Sequence, residues 1–329
     1  VKRALITGCN GQDGAILTEL LLSKDYEVWG FMRRSSTTTT GRIAHLLSNP
    51  LLHIVHGDMA DTMSLFRAMR QAQPDEVYNL AAQSQVMVSF QAPEYTSAVT
   101  ATGAVRLLDI IRTDFPNTRF YQASSSEMFG KVMETPQTEN TPFNPRSPYA
   151  VAKMHAHYAA KNYREAYGLF ATCGILYNHE SKTRSEDFVT RKITRAATRI
   201  NLGLQGKLKL GNLDAKRDWG YAGDFVRGMH MMMQVDAPGD FILATGEAHS
   251  VREFVQLAFE NVGLEWSPYV DHDPAMVRPS EVDILLGDAT KARQMLGWTP
   301  TVTFEQLVRL MIDADMKLAQ AELDGRLIR

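Results

Sequence analysis

Short apolar, β-rich runs recur at 4–7, 27–31, 53–56, 76–80, 119–123 and 171–176, and amphipathic stretches at 15–23, 63–72, 104–115 and 149–167 lie among them. Apolar runs bounded by turn residues suit strands buried on both faces, and a 3.6-residue period suits helices laid over them. The alternation predicts an α/β fold, a doubly wound parallel sheet with helices on both sides. Ligands should then gather at the carboxyl ends of the strands. After Tyr177 the pattern loosens into a Gly-, Asn- and charge-rich region around 203–223, followed by shorter helices at 251–262 and 304–322. The chain divides into a larger part, 1–177, and a smaller mixed α/β part, 178–329. A segment near 222–246, strand-like at 239–246, is expected to return to the main sheet.

At 329 residues and 44% hydrophobic composition the chain can bury a full core across both parts. A formal charge of only −2 favours neither nucleic acid nor an anionic membrane as partner. No apolar run approaches the roughly 20 residues of a membrane span, and the first residues read as a strand with no targeting sequence before it. Cys9 and Cys173 lack CxxC spacing, so neither a zinc site nor a disulfide framework is expected, and a reducing cytoplasm is the default location. His45, His53, His56, His155, His157, His230, His249 and His272 show no ligand spacing, so no metal is expected.

Gly8, Gly11 and Gly14 follow the first strand and open a helix. In that context Gly permits a tight turn and close approach of a pyrophosphate, while the helix N-terminus offers unpaired N–H groups. The end of the second strand selects the dinucleotide, because an acid there binds the ribose of NAD whereas Arg suits the 2′-phosphate of NADP. No Asp or Glu occurs between 28 and 57, and Arg33 and Arg34 stand at the critical place, followed by Ser35 and Ser36. NADP is therefore the expected cofactor. Asp58 and Met59 after the third strand, and Leu80, Ala81, Ala82, Gln83 and Ser84 after the fourth, stand where adenine and ribose contacts would fall. Spacing alone leaves a helix cap open for Asp58 and tight packing open for the alanines.

Tyr149 and Lys153 are four residues apart and share one helical face, so the ammonium is expected to pull the phenol below its usual pKa of about 10. Such a Tyr takes a hydroxyl proton during hydride transfer, and Ser125 is placed to hydrogen-bond it. Glu127 is a second acid/base that simple hydride transfer does not need, and it points to elimination. A carboxylate satisfying free N–H groups at a helix start is the competing reading of Glu127.

Together TGCNGQDG, LAAQS, SSSEMFG, YAVAK, NHES, FVTRKITRA and GNLDAKRDWG resemble the extended short-chain dehydrogenase/reductases, and within them the GDP-mannose 4,6-dehydratase family, over nearly the whole chain. The resemblance implies a Rossmann-type fold and tightly held NADP. It also implies conversion of GDP-D-mannose to GDP-4-keto-6-deoxy-D-mannose, the precursor of deoxyhexoses such as fucose and rhamnose. Matched position by position, it makes Ser125, Glu127, Tyr149 and Lys153 catalytic. The NADP contacts it implies are Gly8, Asn10, Gly11, Gln12, Asp13 and Gly14 in the turn, Arg33, Arg34, Asp58, Met59 and 80–84 beyond it, and Tyr95, Tyr149, Lys153, His179 and Arg184. Around the sugar nucleotide it implies Ser84, Ser125, Glu127, Tyr149, Asn178, Lys192, Arg217, Arg278 and Glu281. Lys192, Arg217 and Arg278 are cations suited to two phosphates, or each is a solvated surface charge. Ser125 replaces the family's common Thr, and Lys182 and Thr183 replace its usual Pro and Arg. A homodimer or homotetramer is implied as well, with the 33–41 loop, which has little to pack against within one subunit, covering neighbouring cofactor sites. A sugar-nucleotide 4-epimerase or 4-keto reductase shares the scaffold without requiring Glu127, and a dinucleotide-sensing regulatory protein could keep the turn alone.

Overall fold

Strand β1 (Arg3–Thr7) is buried at its last four positions, as a strand covered on both faces requires, and pairs in parallel with β2 (Glu27–Met32). The computed structural model of the chain describes residues 1–276, 280 and 282–325. β3 (Leu52–His56) extends the sheet beyond β2, while β4 (Glu76–Asn79), β5 (Arg119–Ser125) and β6 (Ala171–Leu176) extend it from the other edge of β1. Past β6 come four short strands, β7 (Asn178–Glu180), β8 (Leu208–Leu210), β9 (Lys216–Arg217) and β10 (Trp219–Tyr221). β11 (Asp240–Leu243) then returns beside β6, completing a parallel sheet in the order β11-β6-β5-β4-β1-β2-β3. Strand order reverses between β1 and β4, which opens a crevice at their carboxyl ends.

Helices α1 (Gln12–Leu22), α2 (Thr62–Ala72), α3 (Val86–Gln91), α4 (Pro93–Thr96), α5 (Gly103–Asp114) and α6 (Pro148–Tyr167) connect the strands of the first half, with a π-helical turn, Ser97–Thr102, leading into α5. α2 begins at Asp61, whose carboxylate accepts from Met63 N at 3.0 Å. Asp58 is thus not the cap of that helix, and its Oδ1 accepts from Ala60 N instead. One apolar cluster on one side of the sheet includes Leu17, Leu21, Tyr78, Tyr121, Phe225 and Phe241, and another includes Leu65, Leu107, Leu108 and Phe120.

The second half adds α7 (Val189–Asn201), α8 (Ala222–Met232), α9 (Val251–Glu260), α10 (Thr290–Leu296) and α11 (Phe304–Leu323), with β12 (His249–Ser250), β13 (Val270–His272) and β14 (Ile284–Leu285). A third cluster lies among α7, α9 and α11, built from Ile193, Ile200, Phe254, Phe259, Leu307 and Met311. On α7, Ile193, Ala196, Ala197 and Ile200 form a buried apolar stripe, and Arg191 and Thr194 are buried too, both held by the fully buried Asp315 at 2.6–2.8 Å. Trp298 from the far end of the chain is fully buried in the main-sheet cluster, against Phe225 at 5.8 Å, and its Nε1 donates to Asp224 O at 2.7 Å. Among the described residues no helix is long and apolar enough to cross a membrane. Trp298→Ala removes this anchor and leaves a cavity, so urea denaturation is expected to show a loss of about 3–5 kcal/mol. An unchanged midpoint would remove Trp298 from the set of residues that tie the C-terminal part to the sheet.

Candidate active site

The site is built around the turn from β1 to α1. Gly8 adopts φ +72°, its N–H donates to Phe31 O at 2.8 Å, and Gly11 N donates back to Gly8 O at 2.9 Å. A Cβ on Gly14 would stand 2.2 Å from Gly8 O, and one on Gly8 would stand 3.1 Å from Ala81 Cα. The N-cap of α1 is Gly11, which caps no N–H with a side chain, so the start of the helix keeps its donors for an anion. Thr7 Oγ1 donates to Asn79 Oδ1 at 2.8 Å and accepts from Leu80 N at 3.0 Å and Ala81 N at 3.1 Å, which fixes the segment after β4 against the turn.

A cleft of about 390 Å³ opens there. Gly8, Asn10, Gly11, Gln12, Asp13 and Gly14 line it with Arg33, Asp58, Met59, Leu80, Ala81, Ala82, Ser84, Tyr95 and Arg184. Arg34 lies in an adjoining depression with Ser35 and His56. Gln83 is turned towards α4 and the π turn, donating from its N to Thr100 Oγ1 and accepting from Thr96 Oγ1, both at 3.2 Å. The sequence reading missed Phe31, Met32, Thr39, Gly57 and Val99, which also line the cleft. Gly57 and Met32 flank predicted contacts, but an apolar wall residue such as Val99 carries no sequence signal that separates it from core. Arg33 Nη1 donates to Tyr95 OH at 2.8 Å.

The 33–41 loop is exposed at 33–39 and at 41 and half-buried at Thr40, so it packs little within its own subunit, as expected from sequence. Asn10 Nδ2 donates to Thr39 O at 3.3 Å, and Arg42 at the end of the loop donates to Thr183 O at 2.7 Å and Asn10 O at 3.4 Å.

Ser125 ends β5, and its Oγ accepts from Glu127 N at 3.3 Å in the short 3₁₀ turn Ser126–Met128. Ser147 caps α6 by accepting from Ala150 N at 3.1 Å and Pro148 occupies the first turn, so Tyr149 and Lys153 rise together from a fixed helix start. Ser125, Glu127, Tyr149 and Lys153 are all at most 9% exposed. The Lys153 ammonium lies 5.8 Å from the Tyr149 ring centroid and donates to Ala123 O at 2.7 Å. The Tyr149 pKa is raised, not lowered as its spacing from Lys153 predicts. Burial pushes the phenol up to about 12 despite a hydrogen bond from Ser125, and burial pushes Lys153 down to about 8 against the attraction of Asp13. Desolvation outweighs the Tyr–Lys pairing because Lys153 spends its short contact on a carbonyl rather than on the phenol.

The second half reaches back to the turn through β7. His179 Nε2 is 2.8 Å from Asp13 Oδ2, Gln12 Nε2 donates to His179 O at 3.1 Å, and Ser181 Oγ donates to Gln12 Oε1 at 2.9 Å. Asn178 keeps a buried side-chain carbonyl oxygen with no hydrogen-bond partner. Arg184 is ion-paired with Glu180 at 3.0 Å and stacked 3.6 Å from the Phe188 ring centroid. Lys192 on α7 lies 3.2 Å from Met276 Sδ, and Arg217 is buried on β9, donating to Lys216 O at 2.8 Å. Neither lines the cleft beside the turn. Arg278 and Glu281 lie outside the described residues.

Among the described residues, His157, Cys173 and Asp240 converge within 4.8 Å, a grouping hidden in sequence by its long separations. The donors are already committed. Arg164 holds both Asp240 oxygens at 2.9 and 3.0 Å, and Ser124 Oγ lies 2.9 Å from His157 Nδ1. Burial also pushes the Cys173 thiol well up.

The chain matches the protein family described as GDP-mannose 4,6 dehydratase over residues 5–311. It is 54% identical to GDP-mannose 4,6 dehydratase 1 of Arabidopsis thaliana, over 98% of this chain and 91% of that protein. It is 50% identical to the GDP-mannose 4,6 dehydratase of Homo sapiens, over 96% of this chain and 91% of the relative. A dTDP-glucose 4,6-dehydratase of Streptomyces venezuelae, crystallised with NAD and TYD bound, shares the fold with a TM-score of 0.86 at 24% identity, covering 96% of this chain and 97% of that one.

Gly14→Ala forces either α1 or the turn to move. The variant is expected to lose about 1–3 kcal/mol in urea denaturation, as overpacked sites do. Wild-type stability would mean that the turn has slack the close contact denies.

Proposed function

The chain belongs to the GDP-mannose 4,6-dehydratase family, and we propose that it converts GDP-D-mannose to GDP-4-keto-6-deoxy-D-mannose with NADP as its resident hydride carrier. The observation that carries the reading is the buried grouping of Ser125, Glu127, Tyr149 and Lys153 at the carboxyl end of β5 and the start of α6. A carboxylate beside a Tyr–Lys pair is what dehydration adds to oxidation.

The residues present fit NADP. A Gly cradle that a Cβ would fill, an uncapped helix start and a cleft lined by Arg33 accept a dinucleotide, and the absence of any acid from 28 to 57 favours a 2′-phosphate over a bare ribose. Gly8, Gly11 and Gly14 would hold the pyrophosphate, and Arg33 with Arg34 the 2′-phosphate. Bound there, NADP supplies the acceptor and then the donor of one hydride.

The chain's own groups move the protons. Tyr149 rests as a neutral phenol and acts as its phenolate, hydrogen-bonded by Ser125 and beside the Lys153 charge, when it takes the proton of the carbon 4 hydroxyl. The ketone so formed acidifies the neighbouring C–H bond. Glu127 takes the carbon 5 proton and passes it to the departing carbon 6 hydroxyl, which leaves as water. After hydride reaches carbon 6, protonation of carbon 5 through Glu127 balances the proton that Tyr149 removed, and the net change is loss of one water. Asn178, with its unpartnered buried carbonyl oxygen, is a contact for the sugar nucleotide, while Lys192 and Arg217 supply positive charge for its diphosphate.

Glu127→Gln keeps the shape but cannot accept the carbon 5 proton. In a single turnover with GDP-mannose, absorbance of the reduced nicotinamide is expected to appear and persist, with 6-deoxy product formed at least about 100-fold more slowly. Tyr149→Phe is expected to block the first absorbance change. Release of product at the wild-type rate by Glu127→Gln would make the carboxylate structural. Replacing Arg33 and Arg34 together by Ala is expected to weaken NADP binding at least roughly tenfold while leaving NAD affinity nearly unchanged. Equal losses in calorimetric titrations of the two would remove the assignment of NADP.

A further inference from the structure

Asp13 stands where a carboxylate would face an anionic ligand. It lies in the first turn of α1 and lines the cleft beside the N–H groups suited to a pyrophosphate, so its charge opposes that of the ligand. His179 faces it with a defined geometry. Its Nε2 is 2.8 Å from Asp13 Oδ2, its Nδ1 is 2.7 Å from the Tyr177 carbonyl oxygen, and its ring is stacked on Phe225 at 4.6 Å and 19°. A carboxylate and a carbonyl oxygen only accept, so both ring nitrogens must donate, and a ring that donates from both is an imidazolium. We propose that the His179 imidazolium, held by Asp13, cancels the Asp13 charge beside the pyrophosphate site, so that affinity for NADP is set by the protonation of His179. The inference rests on the reading of the cleft as the NADP site.

Other groups also face the pair. Arg184, which follows β7, is ion-paired with Glu180 at 3.0 Å, and its charge also favours the Asp13 carboxylate and opposes the charge on His179. Asp224 on α8 is turned to Thr301 at 2.7 Å and to Arg227 at 3.0 Å. β10 brings the backbone of Gly220 beside His179, and Tyr221 pairs with Glu180 one position on. β5 brings the Tyr121 hydroxyl, and α6 brings Tyr149 and Lys153, both of which feel the Asp13 charge.

The protonation tendencies agree with the geometry. Burial favours the neutral forms, yet the mutual attraction overcomes it, holding Asp13 down to about 2 and raising His179 above its ordinary value. The sign follows for stability as well. The contribution of His179 is complete below its unfolded pKa of about 6.5 and is lost as pH rises through the raised value, while that of Asp13 persists until pH falls towards about 2.

NADP binding to the full chain, measured by calorimetry at pH 7 and pH 9, tests the proposal. Over that range the 2′-phosphate, with a second pKa of about 6, is already ionised. Wild type is expected to bind roughly tenfold more weakly at pH 9 and to take up protons on binding at intermediate pH, the scale of one uncompensated charge nearby. His179→Asn is expected to bind at pH 7 as weakly as wild type does at pH 9. The discriminating variant is Asp13→Asn, which removes the opposing charge and is expected to bind more tightly than wild type at pH 9, also roughly tenfold. A merely structural pair would give weaker binding in that variant at both pH values, and that result would overturn the inference. A pH step of undiminished size in His179→Asn would assign the step to Lys153 and would also overturn it. No binding of NADP by wild type at pH 7 would instead remove the cofactor reading itself, whereas binding at pH 7 with no loss at pH 9 removes only the charge balance.

Discussion

Gly14 packs against the carbonyl oxygen of Gly8 with no room for a side-chain carbon, and the position of everything else in the site is measured from that contact. It seats the first turn of α1 on the end of β1, presents the uncapped N–H groups of the helix to the crevice, and places Asp13 at its edge. Thr7 then carries the alignment across to β4 through Asn79, Leu80 and Ala81. Backbone groups rather than flexible side chains therefore form this wall, which suits recognition of a diphosphate without loss of rotamer freedom.

Burial sets the electrical character of the reacting groups. A Tyr and a Lys one helical turn apart attract weakly in water, but here both are nearly sealed, and desolvation acts on each separately before their mutual attraction counts. In the resting protein Tyr149 is a phenol and Lys153 is anchored to Ala123. Proton movement in the site thus depends on how substrate and cofactor complete the surroundings, with Ser125 the group already bonded to the phenol.

The two parts of the chain are stitched together through the site. β7 returns Gln12, Asp13, Ser181 and His179 to one network, Arg42 reaches from the 33–41 loop to Thr183, and Arg191 pins the same segment by donating to Lys182 O and Arg184 O at 2.7 and 2.9 Å. Arg184 in the cleft is consequently held by a helix of the second half. Trp298 and β11 repeat the theme in the core, where late segments fill the side of the sheet opened by the first six strands. Motion between the halves would have to break buried polar contacts as well as apolar packing.

The six strands of the first half and the helices at 12–22, 62–72, 103–114 and 148–167 were legible from pattern, because strands buried on both faces leave continuous apolar runs and helices leave a 3.6-residue stripe. The Gly turn, the Arg pair without an acid, and the Tyr–Lys spacing were legible because each depends on residues near one another in sequence. The burial of Arg191 and Thr194 on α7 was not, since it depends on Asp315, more than a hundred residues away. Nor was the neutral state of Tyr149, which desolvation by distant segments decides. The pairing of Asp13 with His179 belongs to the same class: each residue was visible as a candidate contact, but only tertiary structure brings them to 2.8 Å and makes them partners of one another. Local spacing determines which groups a segment can present; long-range packing determines which of them meet, and in what charge state.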